Sequence, residues 1–346
     1  MPRVGVLTGG GDCPGLNPAI RGIIRKAQPN GYEVVGLRRG WKGLLNGETM
    51  PIPEAAVDEL LLRGGTILGT SRTNPYKEAD GPARAKKNFA ALKLDALIAI
   101  GGEDTLGVAY KLFKEGLPIV GLPKTIDNDL EVTDFTLGFP TAVQIVSDAF
   151  DRIRTTAQSH DRILVVEIMG RSAGWLAAYA GIAGGADMVL VPEFPTPVKD
   201  VVAAVERLKK KGKNFAMIGI AEGAKLLDDK GQEITEQSQE AVDAFGHVKL
   251  GGIGEVLSEL IKKRTGWDTR STILGHLQRG GTPSAFDRIL STAFGVHAMD
   301  LVLQKDFGKM PALTNGRIQT VPLESAVAKL KTLSPDLYKL AQVFFG

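Results

Sequence analysis

Residues 3–28 read RVGVLTGGGDCPGLNPAIRGIIRKAQ, and this stretch decides the fold class. Arg3–Thr8 is a short apolar run of the kind that forms a buried strand. Gly9, Gly10 and Gly11 follow at once, and Asn17–Gln28 then reads as a helix. Strand, glycine turn and helix in succession open a βαβ unit and predict a parallel sheet.

The rest of the chain repeats the pattern. Apolar runs at 95–100, 118–122, 162–168, 188–192, 215–221 and 270–274 predict further strands. Helices are expected over 105–114, 141–157, 198–211, 254–264 and 284–303. In the third helix Ala149, Phe150 and Ile153 stand against Asp148, Arg152 and Arg154, which is an amphipathic face. Segment 226–240 is polar and reads as an exposed excursion. Glycine clusters at 9–11, 64–65, 101–102, 170 and 280–281 read as following strands. Ligands of open parallel sheets bind beyond the carboxyl ends of the strands, so these clusters point to one composite site.

Composition narrows the class of function. The 346 residues carry 42 basic and 39 acidic side chains. That balance is too even for a nucleic-acid-binding surface, and no partner of that kind is expected. Cys13 is the only cysteine, which excludes an intrachain disulfide and a cysteine-built zinc site. No apolar run approaches the roughly 20 residues that span a bilayer, and no secretory signal is legible. A reducing cytoplasm is the expected setting.

Several segments carry chemistry. Thr8–Gly15 would let backbone N–H groups approach phosphate at a helix N-terminus. It is no dinucleotide fingerprint, since Pro14 stands where the third glycine belongs, and the chain holds no GxxxxGK[ST]. Gly102-Glu103-Asp104-Thr105 puts adjacent carboxylates in a glycine turn. Such a turn suits phosphate only with a cation present, so Glu103 is a candidate Mg²⁺ ligand. The plainer reading is a helix cap supplied by Asp104 or Thr105, and both can hold. Asp127 and Asp129 in PKTIDND lie two apart and would face one way in an extended segment. A carboxylate placed to accept a hydroxyl proton is the recurring device of phosphoryl transfer. A turn serving its own backbone is the alternative. Arg72, Arg162, Arg171, Arg270, Arg279, His276 and Glu222 complete the candidates, arginine matching phosphate with a planar fork of donors.

Seven segments in order, GGGDCPGLN (9–17), RGGTILGTSR (63–72), GGEDT (101–105), PKTIDND (123–129), SHDRILVVEIMGR (159–171), IAEGA (220–224) and TRSTILGHLQRGGTPSAFDR (269–288), resemble the 6-phosphofructokinase family. The resemblance covers nearly the whole chain. It implies two similar Rossmann-like α/β lobes with mostly parallel sheets and the active site in the cleft between them. The implied division is 1–138 plus about 252–304 for the donor lobe, and 139–251 plus about 305–346 for the fructose 6-phosphate lobe.

Carried over by position, the resemblance implies Asp127 as base for the sugar 1-hydroxyl, supported by Thr125 and Asp129. Arg171, beside Met169 and Gly170, and Arg72 would stabilise the transferring phosphoryl group. Glu222 would bind sugar hydroxyls, and Arg270, His276 and Arg279 the 6-phosphate. Gly11, Gly102, Asp104, Thr105 and Lys124 would line the donor. A homodimer or homotetramer is implied, with Arg162 and Arg270 shared across subunits. Family members that use ATP commonly have glycine at the positions of Asp104 and Lys124, whereas an Asp-plus-Lys pair resembles pyrophosphate-dependent members. Asp104 would crowd a nucleotide's α-phosphate, so pyrophosphate is the expected donor and a reversible reaction the consequence. ATP is the alternative. Glu103 departs from the more usual Asp. Arg21, Arg25, Arg154 and Lys213 match a nucleotide effector site that Glu54 would disturb, so regulation is expected to be weak or absent. A lipid or NAD kinase and a non-catalytic sugar-phosphate-binding subunit are the remaining readings.

Overall fold

The structure, a computed structural model, describes residues 1–52, 54–234 and 250–345, without the side chains of 54 and 55. In chain order the first sheet takes β1 (Arg3–Thr8), β2 (Glu33–Leu37), β3 (Thr49–Met50), β4 (Ala96–Gly101), β5 (Ile119–Thr125) and β6 (Leu137–Gly138). Their spatial order is β3-β2-β1-β4-β5-β6, parallel except where β3 runs against β2. The second sheet holds β7 (Ile163–Ile168), β8 (Met188–Leu190), β10 (Ala216–Ala221) and β12 (Thr269–Ile273) in the parallel order β12-β7-β10-β8. Short strands β9 (Thr196–Pro197) and β11 (Leu226–Leu227) pair beside it. A hairpin of β13 (Lys309–Thr314) and β14 (Arg317–Pro322) packs against β5.

Strands β4, β7 and β10 are buried along their whole length, because helices cover both faces of each sheet. That is why they read as unbroken apolar runs rather than alternating ones. The helices that matter here are α1 (Leu16–Ala27), α2 (Glu103–Lys114), α3 (Phe139–Ser159), α4 (Trp175–Ala183), α5 (Val198–Lys210), α6 (Ile253–Thr265) and α7 (Ala285–Leu303). Helices α1 and α7 meet backbone to backbone. A Cβ on Gly22 would lie 2.7 Å from the Thr292 carbonyl oxygen, and one on Gly295 would run into that of Ala19.

Strand β12 completes the second sheet and α6 packs on it, whereas α7 and the β13–β14 hairpin pack on the first. Two expectations need correction. Gly64–Gly65 follow a 3-10 turn at Asp58–Leu61, not a strand. The excursion expected from Leu226 begins later, because Leu226 is buried and paired with Thr196. Its residues 235–240 lie outside the described part of the chain.

Candidate active site

Helix α1 starts at Gly15, whose φ of 115° only glycine adopts freely. A Cβ there would also meet Ser291 Oγ at 2.8 Å, so the turn before α1 is pressed onto α7. The loop Gly9–Gly11 is therefore fixed at the carboxyl end of β1, beside that of β4.

Other chain segments close on this loop. Lys124, buried at the end of β5, donates from Nζ to the carbonyls of Gly9 (2.9 Å) and Gly11 (2.6 Å). Burial holds its ammonium below the usual lysine range. Two of its three donors are thus spent on the loop, and one remains. Thr70 Oγ1 donates to Gly10 O at 2.5 Å, anchoring the segment that carries Arg72. Asn17 Nδ2 donates to the carbonyls of Arg63 and Gly64, and Gly64 presses on the backbone of Gly281. Arg279 is packed so closely over Gly11 that a Cβ at residue 11 would stand 2.7 Å from Cζ.

Between these walls lies a small pocket of about 60 Å³. Gly10, Gly11 and Arg279 line it together with Gly102–Thr105 and Lys124, with Thr125, Asp127 and Asp129, and with Arg171. Glu103 and Asp104 stand in the first turn of α2, where the helix dipole favours their charge. Thr105 is buried against Gly9 and Gly101, and any Cβ at either glycine would collide with it.

The loop after β5 is braced by its own side chains. Thr125 Oγ1 accepts from Asp127 N–H at 3.0 Å, and Asn128 Oδ1 accepts from Thr136 N–H at 3.0 Å. Asp127 is nearly buried and its Oδ1 has no hydrogen-bond partner. Leaving a carboxylate oxygen bare and dry is costly unless a ligand completes it. Burial, with Asp127 and Glu103 nearby, pushes the Asp129 carboxyl up to about 7.

The turn Met169–Arg171 brings Arg171 to the pocket, with left-handed backbone at Gly170 and Arg171. Glu222 accepts from the N–H groups of Gly170 (3.3 Å) and Arg171 (3.1 Å) through one oxygen. Burial raises the Glu222 carboxyl above the ordinary range. Gln278 was not singled out in the sequence although it lies inside GHLQRGG. It is fully buried, accepts from Met169 N–H at 3.1 Å and donates to Gly275 O at 3.0 Å, which joins the two turns.

Seven candidates are absent from the pocket lining: Met169, Gly170 and Glu222, which form the turn beside Arg171, and Arg72, Arg162, Arg270 and His276. Arg72 and His276 are exposed. Arg162, just before β7, reaches Asp268 at 2.5 Å, and Arg270 on β12 reaches it at 3.3 Å. Arg270 stands on the free edge of the second sheet, because β12 is its end strand, and Arg162 lies at the amino end of the neighbouring β7. Of the effector candidates, Arg21 and Arg25 pair with Asp58, Arg154 with the carbonyls of Gly184 and Gly185, and Lys213 with Asp187. The Glu54 side chain lies outside the described residues.

Residues 3–302 match the model of the family described as phosphofructokinase. The chain belongs to the phosphofructokinase family. It is 55% identical over 345 residues to the pyrophosphate–fructose 6-phosphate 1-phosphotransferase of Amycolatopsis methanolica, covering 99% of this chain and 100% of that one. The ATP-dependent 6-phosphofructokinase 3 of Streptomyces coelicolor is 48% identical, with 98% and 99% covered. Phosphofructokinase of Pichia pastoris in the T-state superposes with a TM-score of 0.83 at 34% identity. That match takes in 94% of this chain and 35% of the longer one. Among the described residues no helix is long and apolar enough to cross a membrane.

Proposed function

We propose that this phosphofructokinase transfers a phosphoryl group from pyrophosphate to the 1-hydroxyl of fructose 6-phosphate, reversibly, as the named activity of its 55%-identical relative suggests. The observation that carries the reading is the unpartnered Asp127 oxygen, set in one small pocket with the glycine loop, Arg171 and Arg279.

Asp127 takes the proton of the sugar hydroxyl as its oxygen attacks the terminal phosphoryl group in line. Thr125 holds the Asp127 backbone, and Asp129 lines the pocket beside it. Arg171 offsets charge on the transferring group from across the pocket, with Arg72 approaching from the loop anchored on Gly10. The remaining Lys124 donor and the N–H groups of Gly11, Gly102 and Thr105 hold the leaving phosphate. Glu222, with its second oxygen, and the Met169–Arg171 turn receive the sugar, and Arg279 its 6-phosphate. No covalent intermediate is needed, and Cys13 takes no part, since burial pushes its thiol up to about 12.

No group of three or more His, Cys, Asp or Glu side chains converges among the described residues, so these build no closed metal cage. That donor set fits Mg²⁺, which is held by one or two carboxylates and substrate phosphates. Glu103 would be its protein ligand, and the ion would neutralise developing phosphate charge.

Glu103 and Asp104 together favour a short inorganic donor, since a nucleotide would lay its α-phosphate against two carboxylates. Initial rates with pyrophosphate and with ATP, each with Mg²⁺ and fructose 6-phosphate, test this. Turnover with ATP alone would overturn the donor assignment and leave the catalytic residues standing. Failure to form pyrophosphate from fructose 1,6-bisphosphate and phosphate would overturn reversibility.

The outward-facing Arg162, Arg270 and His276 are read as reaching a second copy. The exposed apolar side chains Ile273, Leu277 and Ile289 beside them suit burial against that copy. Mixing inactive Arg162→Ala and Asp127→Asn proteins should then restore activity through hybrid sites, and no recovery refutes sharing. The pairing of the effector arginines with Asp58 and with the carbonyls of Gly184 and Gly185 favours absent or weak nucleotide regulation, which a sigmoidal response abolished by ADP would refute. A cytoplasmic setting accords with this chemistry.

A further inference from the structure

The C-terminal segment 329–333 crosses between the two walls of the pocket, and Lys331 is its hub. On one side, Lys331 N–H donates to Asp129 O at 2.8 Å, and Leu330 bridges Leu130 in antiparallel register. Its Nζ continues along the same loop, donating to the carbonyls of Thr133 (2.8 Å) and Asp134 (2.9 Å). On the other side, Lys331 O accepts from the Trp175 indole N–H at 2.9 Å, and the ammonium lies 4.7 Å from that ring's centre. Trp175 opens α4, four residues after Arg171. Two residues further along the strap, Leu333 N–H donates to Glu193, whose carboxylate also caps Gly174.

A single residue therefore holds the loop of Asp127 and Asp129 from one sheet and the turn of Arg171 from the other. Its ammonium is spent on two carbonyls and an aromatic face, so it reaches no substrate.

We propose that Lys331 is a positioning residue that sets the separation between the Asp127–Asp129 loop and Arg171, and so the alignment of base and phosphoryl group. The inference rests on the phosphoryl-transfer reading above. In-line transfer is steep in geometry, where a misplacement of about 1 Å costs about a hundredfold in rate.

Lys331→Met keeps the side chain's length and removes its donors. Lys331→Arg keeps the charge, both carbonyl contacts and stacking on the indole. The test measures kcat, KM for both substrates and the thermal midpoint for wild type and both variants. The expected result is a kcat loss of about tenfold to a hundredfold in Lys331→Met, with KM changed far less and Lys331→Arg recovering most of the loss. A kcat within about twofold of wild type in folded Lys331→Met overturns the proposal, as does Lys331→Arg being no better than Lys331→Met. Should Lys331→Met fail to fold, Trp175→Phe, which removes the indole donor and leaves a smaller aromatic face, decides: a fall in kcat at unchanged KM supports positioning, and an unchanged kcat overturns it. Wild type without activity on either donor would refute the functional reading instead, so the two failures are distinct.

Discussion

Gly11→Ala separates catalysis from stability with a single methyl group. Gly11 does not use left-handed backbone, so alanine adopts its conformation without strain. Its exposed position leaves the cores untouched, and the loss of unfolded-state freedom makes the protein about 0.4–1 kcal/mol more stable. The new Cβ, however, would stand 2.7 Å from Arg279 Cζ, where ordinary contact begins at 3.4 Å. The guanidinium must retreat by the difference, about 0.7 Å, and further at its terminal nitrogen. A displacement near 1 Å costs about a hundredfold in rate, or about 2.7 kcal/mol of transition-state binding. Steady-state kcat/KM for fructose 6-phosphate should fall by that factor while the unfolding midpoint holds or rises. In an Arg279→Ala background the same substitution should cost almost nothing further, since the group it displaces is gone. An equal loss in both backgrounds would refute the steric coupling, and full activity in Gly11→Ala would show that Arg279 works from another pose.

Other perturbations give separate readings. Asp127→Asn should lower kcat by about 10²–10⁴-fold without lowering the thermal midpoint, because the charge it removes is buried and unpartnered; a destabilised variant would contradict that account. Asp104→Gly should raise the ratio of ATP to pyrophosphate activity, and an unchanged ratio would release Asp104 from the donor argument. Asp287, buried and accepting from Gly138 N–H and from Thr141, has its carboxyl pushed by burial from 3.8 to about 6. A raised folded-state value means that the native state holds this proton more tightly. Asp287's contribution to stability should therefore fall as pH rises from about 4 to about 6 and stay level above. Denaturant midpoints of wild type and Asp287→Asn across that range test it, and a difference independent of pH would refute it.

The local grammar of the fold was legible because each parallel strand is a short apolar run bounded by glycine. What the sequence hid depends on distance along the chain. Nothing in TRSTIL tells which sheet it joins; only pairing with Ile163–Glu167, about a hundred residues away, assigns β12 to the second. The β13–β14 hairpin left a usable signal, Asn315-Gly316, whose positive φ values of 51° and 75° suit a two-residue turn. It matters for the site because Leu313 O accepts from Asp134 N–H at 2.7 Å, behind the Asp127 loop. Within the pocket, Asp127, Asp129, Arg171 and the glycine loop were readable from motifs. Gln278, Glu193 and Lys331 were not, since each acts by holding a backbone more than a hundred residues distant or across sheets.

The close crossing of α1 and α7 also governs how this protein can drift over generations. Gly22 and Gly295 do not line the pocket, and Gly22 sits about 10 Å along α1 from the glycine loop. Yet any side chain at either position wedges the helices apart. One helix begins just after Gly9–Gly11 and the other just after Arg279 and Gly281, so the wedge would open the pocket at its mouth. Random mutagenesis scored for activity should find these two sites as intolerant as Asp127. Lineages can vary the sugar or the donor by exchanging pocket side chains, while the two glycines stay frozen.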